Sequence, residues 1–232
     1  VAWQLQNVQV KVDLCTLDNA LDNSYAEHLL SGKALPINYN TMVSQVQSLL
    51  AGANGQQKVR INVTRALSRL KSVFVSLFKP IPVTVGNLGT KEWNYFYSPM
   101  SNSAGGEFNR YDASGEFEAQ LQLGAKLYPE YPIRSHSEAY YQLRKTLGVK
   151  NNIRNFDINS HEFRSGKFVW ATDMEKIIES GFSGVNTRAG DILNLRFDHA
   201  TNTAERWSTG MQIILESDQV MEIRDGGVTV FD

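Results

Sequence analysis

Apolar and polar positions alternate with a period of two along most of this chain. Phe117, Ala119, Leu121 and Leu123 interleave with Glu116, Glu118, Gln120 and Gln122, which predicts a strand with one buried and one wet face. Leu193, Leu195 and Phe197 interleave with Asn194, Arg196 and Asp198. Trp207, Thr209, Met211, Ile213 and Leu215 share a face that Met221 and Ile223 continue. Val8, Val10, Val12 and Leu14 form another face, and Trp3 and Leu5 stand in the opposite phase, which predicts a bulge near Gln6–Asn7. Strands are expected over 2–14, 35–47, 58–64 with 70–78, 116–127, 167–172, 191–198, 205–216 and 219–231, about eight in all.

One stretch fits both periods. Ala66, Leu67, Leu70, Val73, Phe74 and Leu77 fit a helix, whereas Val73, Val75 and Leu77 fit a strand. The β-branched Val73 and Val75 and the aromatic Phe74 and Phe78 favour strand over 70–78. Helices are expected only as short insertions. Ser135–Leu147 opens on Ser135 and Glu138 in capping-box spacing, presents Ala139, Leu143 and Leu147 on one face, and ends before Gly148. A second covers 23–30, closed by Gly32, and a helical turn can start at Thr172 with Glu175 three residues on.

Between 79 and 115 lie Pro80, Pro82, Gly86, Gly89, Pro99, Gly105, Gly106 and Gly115, with Trp93, Tyr95, Phe96 and Tyr97 among them. A loop this long in a compact domain is usually functional. No repeat, low-complexity tract or interdomain linker interrupts the pattern, so residues 1–232 are expected to form a single domain. The fold class is all-β: an eight-stranded antiparallel jelly-roll sandwich with short helical insertions in its loops.

Charge narrows the function. Lys and Arg number 23 against 24 Asp and Glu, with no block of either sign, so the clustered cations that hold nucleic-acid phosphates are missing. Arg60, Arg65, Arg69 and Lys71 come nearest, and charges on a solvated face explain them. The single Cys15 excludes an internal disulfide, and its place in the apolar run Val10–Leu17 makes it an expected buried hydrophobe. No apolar stretch has the length of a membrane span. No signal peptide opens the chain, and since its first residue is Val, the natural start is expected to lie outside this sequence.

Catalytic patterns are sparse. His28, His136, His161 and His199 show neither the helical i, i+4 pair nor the H-x-H spacing that puts two imidazoles on a metal. His136 is explained by an exposed first-turn position in its helix. Gly181-Phe182-Ser183-Gly184 lacks the spacing of a nucleophile elbow and reads as a turn, and no phosphate-binding loop occurs. Glu116 with Glu118, and Asp173 with Glu175, fit a strand's polar face and a helix cap. Asn62-Val63-Thr64 matches a glycosylation sequon inside an expected strand. No enzyme activity, cofactor or metal is expected. The aromatic set Trp93, Tyr95, Phe96 and Tyr97 suits a seam between subunits or, alternatively, a stacking platform for sugar rings or nucleobases.

Several local texts, taken in order, resemble one family. They are Val12-Asp13-Leu14 through Thr16-Leu17-Asp18, Asn23-Ser24-Tyr25-Ala26-Glu27-His28 to Leu35-Pro36-Ile37, and Arg65-Ala66-Leu67-Ser68-Arg69-Leu70-Lys71-Ser72-Val73-Phe74. Tyr131-Pro132-Ile133-Arg134 with Glu138-Ala139-Tyr140-Tyr141-Gln142-Leu143-Arg144-Lys145 follows, then Asn186-Thr187-Arg188-Ala189-Gly190-Asp191 and Met221-Glu222-Ile223-Arg224-Asp225-Gly226-Gly227-Val228. Together they resemble the C-terminal half of double-jelly-roll major capsid proteins of polinton-like viruses and related eukaryotic DNA viruses.

The resemblance implies a structural protein of the virion, assembled inside the host cell. Such proteins trimerise into pseudo-hexagonal capsomers that tile an icosahedral shell around double-stranded DNA. It implies other copies of the chain and neighbouring capsomers as partners, with minor capsid proteins a further class, and neither sequence-specific nucleic-acid binding nor a membrane span. Trp93, Tyr95, Phe96 and Tyr97 become candidate subunit-contact or tower-loop residues. The departure is that the family carries two jelly rolls and this sequence holds strands for one. Two rival classes remain: a carbohydrate-binding jelly-roll module using the same aromatics, and a cupin-like enzyme, whose metal-ligand spacing is missing.

Overall fold

A computed structural model describes residues 4, 6–50, 56–78, 96, 98–99, 101–102, 110–111, 116–148, 157–175, 183–188, 190–200, 210–224 and 226–231. In chain order the elements are α1 (Asn19–Leu30), β1 (Leu35–Ser48), β2 (Gln56–Val63), β3 (Leu70–Phe78), β4 (Ser101–Asn102), β5 (Arg110–Tyr111), β6 (Glu116–Leu123) and β7 (Lys126–Ile133). They continue with α2 (His136–Leu147), α3 (Ser160–Ser165), β8 (Val169–Asp173), β9 (Leu193–Ala200), β10 (Gly210–Arg224) and β11 (Gly227–Phe231). Two compact units are present, Asn38–Gln219 on the one hand and Val1–Ile37 with Val220–Phe231 on the other.

The larger unit holds two sheets. One runs β1-β10-β3-β8 and the other β2-β9-β6-β7. The chain crosses from one sheet to the other after β1, β2, β3, β7, β8 and β9, so strands distant in sequence lie side by side. This order is a jelly roll, as the alternation predicts.

Alternation sets which side chains meet. Ala119 stands opposite Phe197 and Leu121 opposite Leu195 on β6 and β9. Met211, Ile213 and Leu215 stand opposite Leu77, Val75 and Val73 on β10 and β3. With Trp170, Phe117, Val59 and Ile61 these form one continuous buried core. Each such Val, Leu, Ile, Phe or Met side chain contributes about 1.5–3 kcal/mol relative to an exposed one. The ambiguous stretch 70–78 is strand β3. Helix α2 packs on β8, burying Ala139 and Leu143, while Ala171 of β8 is buried beside Trp170.

Several boundaries differ from the sequence expectation. The strand expected over 116–127 turns at Gly124, whose φ of 58° is the left-handed region that favours glycine. Of the returning strand β7 only Lys126 and Leu127 lay inside an expected strand; beyond them Pro129 and Pro132 argue against a ladder strand. β7 is the edge of its sheet, where missing N–H groups are tolerated. β10 continues to Arg224 through a register shift at Glu216/Ser217, where 205–216 and 219–231 had been expected as separate strands. It then folds back into β11, with Val220 opposite Phe231 and Arg224 opposite Gly227.

The smaller unit contains the largest correction. Of the strand expected over 2–14, the described residues form none. Asn7 takes a left-handed φ of 55° where a bulge was expected. Val8, Val10, Val12 and Leu14 are exposed, and so is Cys15, against its expected burial. A lone segment cannot satisfy its backbone as a strand, and no neighbour pairs with it among the described residues. α1 begins at Asn19 rather than 23 and ends before Gly32, whose φ is 76°.

Candidate functional site

Within 79–115, the described residues Phe96 and Ser98 are bonded to residues outside that segment. The backbone N–H of Phe96 donates to the carbonyl of Gly166 at 2.7 Å, and Phe96 forms a parallel bridge with Lys167. Two residues on, Ser98 is fully buried and shares a 2.6 Å hydrogen bond with His136 Nε2. Further along, β4 pairs with β5 as a small antiparallel ladder. The Phe96 side chain is 37% exposed. Of the four candidate contact residues it alone is described; Trp93, Tyr95 and Tyr97 lie outside the described residues.

His136 corrects its expected exposure. It is buried, edge-on to Phe117, Phe163 and Phe168 with centroid distances of 5.8, 6.3 and 5.6 Å. Burial first, and then the nearby Arg164 guanidinium, push its pKa down from 6.5 to about 4, so it is a neutral imidazole at neutral pH. It anchors the loop. The cap next to it is also rearranged: Ser135 accepts from Glu138 N–H at 3.2 Å, but Glu138 reaches back to the N–H of Arg134, not Ser135. The full reciprocal box belongs instead to α3, between Asn159 and Glu162. This explains the His161-Glu162 pair: Glu162 caps α3 and binds Lys167 Nζ at 2.9 Å, which with its backbone bond to Asn159 holds its pKa below the usual range.

The other charges also resolve into local bonds. Lys71 Nζ lies 2.9 Å from Glu175 Oε1 and 3.5 Å from Asp218 Oδ1. Burial pulls the Lys71 ammonium down, but the Glu175 hydrogen bond and the Asp218 charge outweigh it and hold its pKa above normal. Burial raises the carboxyls of Asp218 and Asp173. Asp173 Oδ1 accepts from the N–H of Glu175 at 2.9 Å, an Asx turn where a helix start had been expected. Ser72 Oγ donates to buried Glu216 Oε2 at 2.6 Å.

Arg60 forks onto Asp198, with Nη2 2.7 Å from Oδ2, and Glu118 binds Arg134. Arg60 sits on β2 and Lys71 on β3, strands of different sheets, so the basic run Arg60–Lys71 is no stripe of cations for phosphate. Asn62, exposed on β2, lies opposite Asn194. Among the described residues no three of His, Cys, Asp and Glu are grouped to hold a metal ion, and no helix is long and apolar enough to cross a membrane.

One further arrangement escaped sequence reading. Residues 183–187 stitch onto 67–70: Val185 and Leu70 exchange both backbone hydrogen bonds at 2.9 Å, and Thr187 Oγ1 accepts the N–H of buried Leu67 at 2.8 Å. Gly184, with φ 151°, passes so close that a Cβ would lie 2.7 Å from the Arg69 carbonyl carbon.

No protein-family model and no curated protein matches the sequence. Solved structures do. PBCV-1 VP54, as fitted into a cryo-EM reconstruction of the virophage Sputnik, aligns over 93% of this chain at 12% identity with a TM-score of 0.54. This chain shares the jelly-roll fold of VP54. It spans 55% of the VP54 chain, about half its length. The quasi-atomic PBCV-1 capsid also aligns, at 12% identity, TM-score 0.49, 93% of this chain and 55% of that one. The cryo-EM structure of the Sputnik virophage at 3.5 Å aligns at 12% identity, TM-score 0.48, 85% of this chain and 39% of that one.

Proposed function

We propose that residues 1–232 form one jelly-roll domain, the second half of a double-jelly-roll viral major capsid protein, that works as a structural component of the virion and not as an enzyme. Three copies of the intact protein form a pseudo-hexagonal capsomer, and capsomers tile an icosahedral shell around double-stranded DNA. The observation that carries this reading is the coverage of the structural match: nearly all of this chain lies on just over half of VP54. Two further facts support it. The charged and histidine side chains described above are spent on caps, ion pairs and loop anchoring. Phe96 and Ser98 are also bonded to Gly166 and His136, which suits a segment that makes subunit contacts, with Trp93, Tyr95 and Tyr97 beside them in sequence.

Negative-stain microscopy of the intact protein tests the reading. Hexagonal plates of uniform size, or closed particles, are expected. A dispersed monomer at high protein concentration would overturn it.

A further inference from the structure

A strand-patterned arm and an unprotected sheet edge occur in the same chain, each without a partner among the described residues. In the arm, Val8, Val10, Val12 and Leu14 are 77%, 87%, 69% and 90% exposed, while Gln9, Lys11 and Asp13 alternate with them. Such a period-two face is the pattern of a half-buried strand. The edge is β1, which ends its sheet with β10 on one side and no described strand on the other. β1 is 14 residues long and contains no charged residue. Edge strands are normally shortened, charged or covered, because their open N–H and C=O groups template pairing.

We infer that the Val8–Leu14 arm of one copy adds as a strand to the β1 edge of a second copy. Main-chain bonds to the open edge supply affinity, and the alternate apolar side chains supply register. If each of the four side chains buries about 100 Å² of apolar surface, one arm covers about 400 Å² of itself and as much of the acceptor. Two reciprocal arms in a symmetric pair then reach about 1,600 Å², the size of a standard specific interface. The occupant is a second copy, because the chain itself supplies both a strand-patterned arm that no described strand pairs and an open, uncharged edge of the kind such an arm fits. The inference does not depend on the capsid reading; it needs only this arm and this edge.

Cys15, the only cysteine and exposed, follows the arm directly and serves as the probe. Full chains with native Cys15 are mixed with size-tagged full chains carrying Cys15→Ser and one new cysteine at Asn38, Met42 or Val46, all exposed on β1. Mild oxidation is expected to give a disulfide-linked mixed pair for at least one β1 position. That product should be lost when Val10→Lys and Val12→Lys are both present, with circular dichroism and melting unchanged. The same mixture with the new cysteine at exposed Tyr141 on α2 should link poorly. Equal linking at Tyr141, no linking at any β1 position, or a disulfide closing within a single chain that carries Cys15 and Met42→Cys would each overturn the inference.

Discussion

Replacing Thr187 by valine tests how the segment 183–187 is held to the sandwich. The two side chains have nearly the same shape, so the substitution leaves no cavity and changes only the hydroxyl. In the folded protein Thr187 Oγ1 accepts from Leu67 N–H at 2.8 Å and donates to Leu67 O at 3.2 Å. The Leu67 carbonyl keeps a partner in Thr187→Val, because the backbone N–H of residue 187 donates to it at 2.8 Å. The amide of Leu67, a residue only 1% exposed, keeps none. The cost is therefore one orphaned buried donor, about 1–3 kcal/mol, and not two lost bonds.

For a chain of this size that loss lowers the melting temperature by roughly 2–4 °C per kcal/mol. Urea unfolding should show a lower midpoint at unchanged slope. Thr187→Ser is the control: it keeps the hydroxyl and loses one buried methyl, about 0.8 kcal/mol. Since the two variants can be close in stability, amide hydrogen exchange separates them. Leu67 should lose protection in the valine variant and keep it in the serine variant. Equal protection in both, or a valine variant as stable as the parent, would refute the reasoning.

Three further outcomes are expected. Below about pH 6.5 an unfolded chain protonates at His136, whereas the folded chain refuses that proton until about pH 4; stability is lost as pH falls through this window, by up to about 3 kcal/mol. Because the raised carboxyls of Asp173 and Asp218 act in the opposite sense, the measurement is the pH dependence of the stability difference between the parent and His136→Phe, which should narrow toward pH 4. Lys71→Met leaves buried Asp218 beside Glu175 without their shared cation, and should lower the urea-unfolding free energy by about 1–2 kcal/mol, less than a fully buried pair because Lys71 is partly exposed; Lys71→Met with Asp218→Asn should recover part of that. Gly184→Ala puts a Cβ against backbone at a left-handed φ, and should cost at least about 2 kcal/mol by thermal unfolding.

The sandwich was legible because period-two patterns report burial directly. Phe117–Leu123, Leu193–Phe197 and Met211–Leu215 became β6, β9 and β10 with the expected residues inside. The same signal misled at Val8–Leu14, since alternation says that a face is built for burial and not which molecule covers it. Most of β7 stayed hidden because its two prolines oppose strand propensity, and only its edge position makes them tolerable. At the candidate site, the length and turn content of 79–115 were readable, but its anchor was not. Ser98 and His136 lie far apart in sequence, and neither residue type announces that it is buried. The stitching of Thr187 to Leu67 is equally long-range, so no local pattern carries it.

The order of strands has a consequence for the protein's birth on the ribosome. β1 leaves the exit tunnel long before its neighbour β10, and β2 waits for β9 in the same way. Only β6 with β7 and β10 with β11 join strands consecutive in the chain within these sheets. Vectorial synthesis therefore cannot close either sheet progressively: β2 stays unpaired until β9 has emerged, and β1 until β10 has. Such non-local pairing folds slowly, and nascent chains stalled before residue 210 should remain protease-sensitive throughout β1, whose only strand neighbour among the described residues is β10.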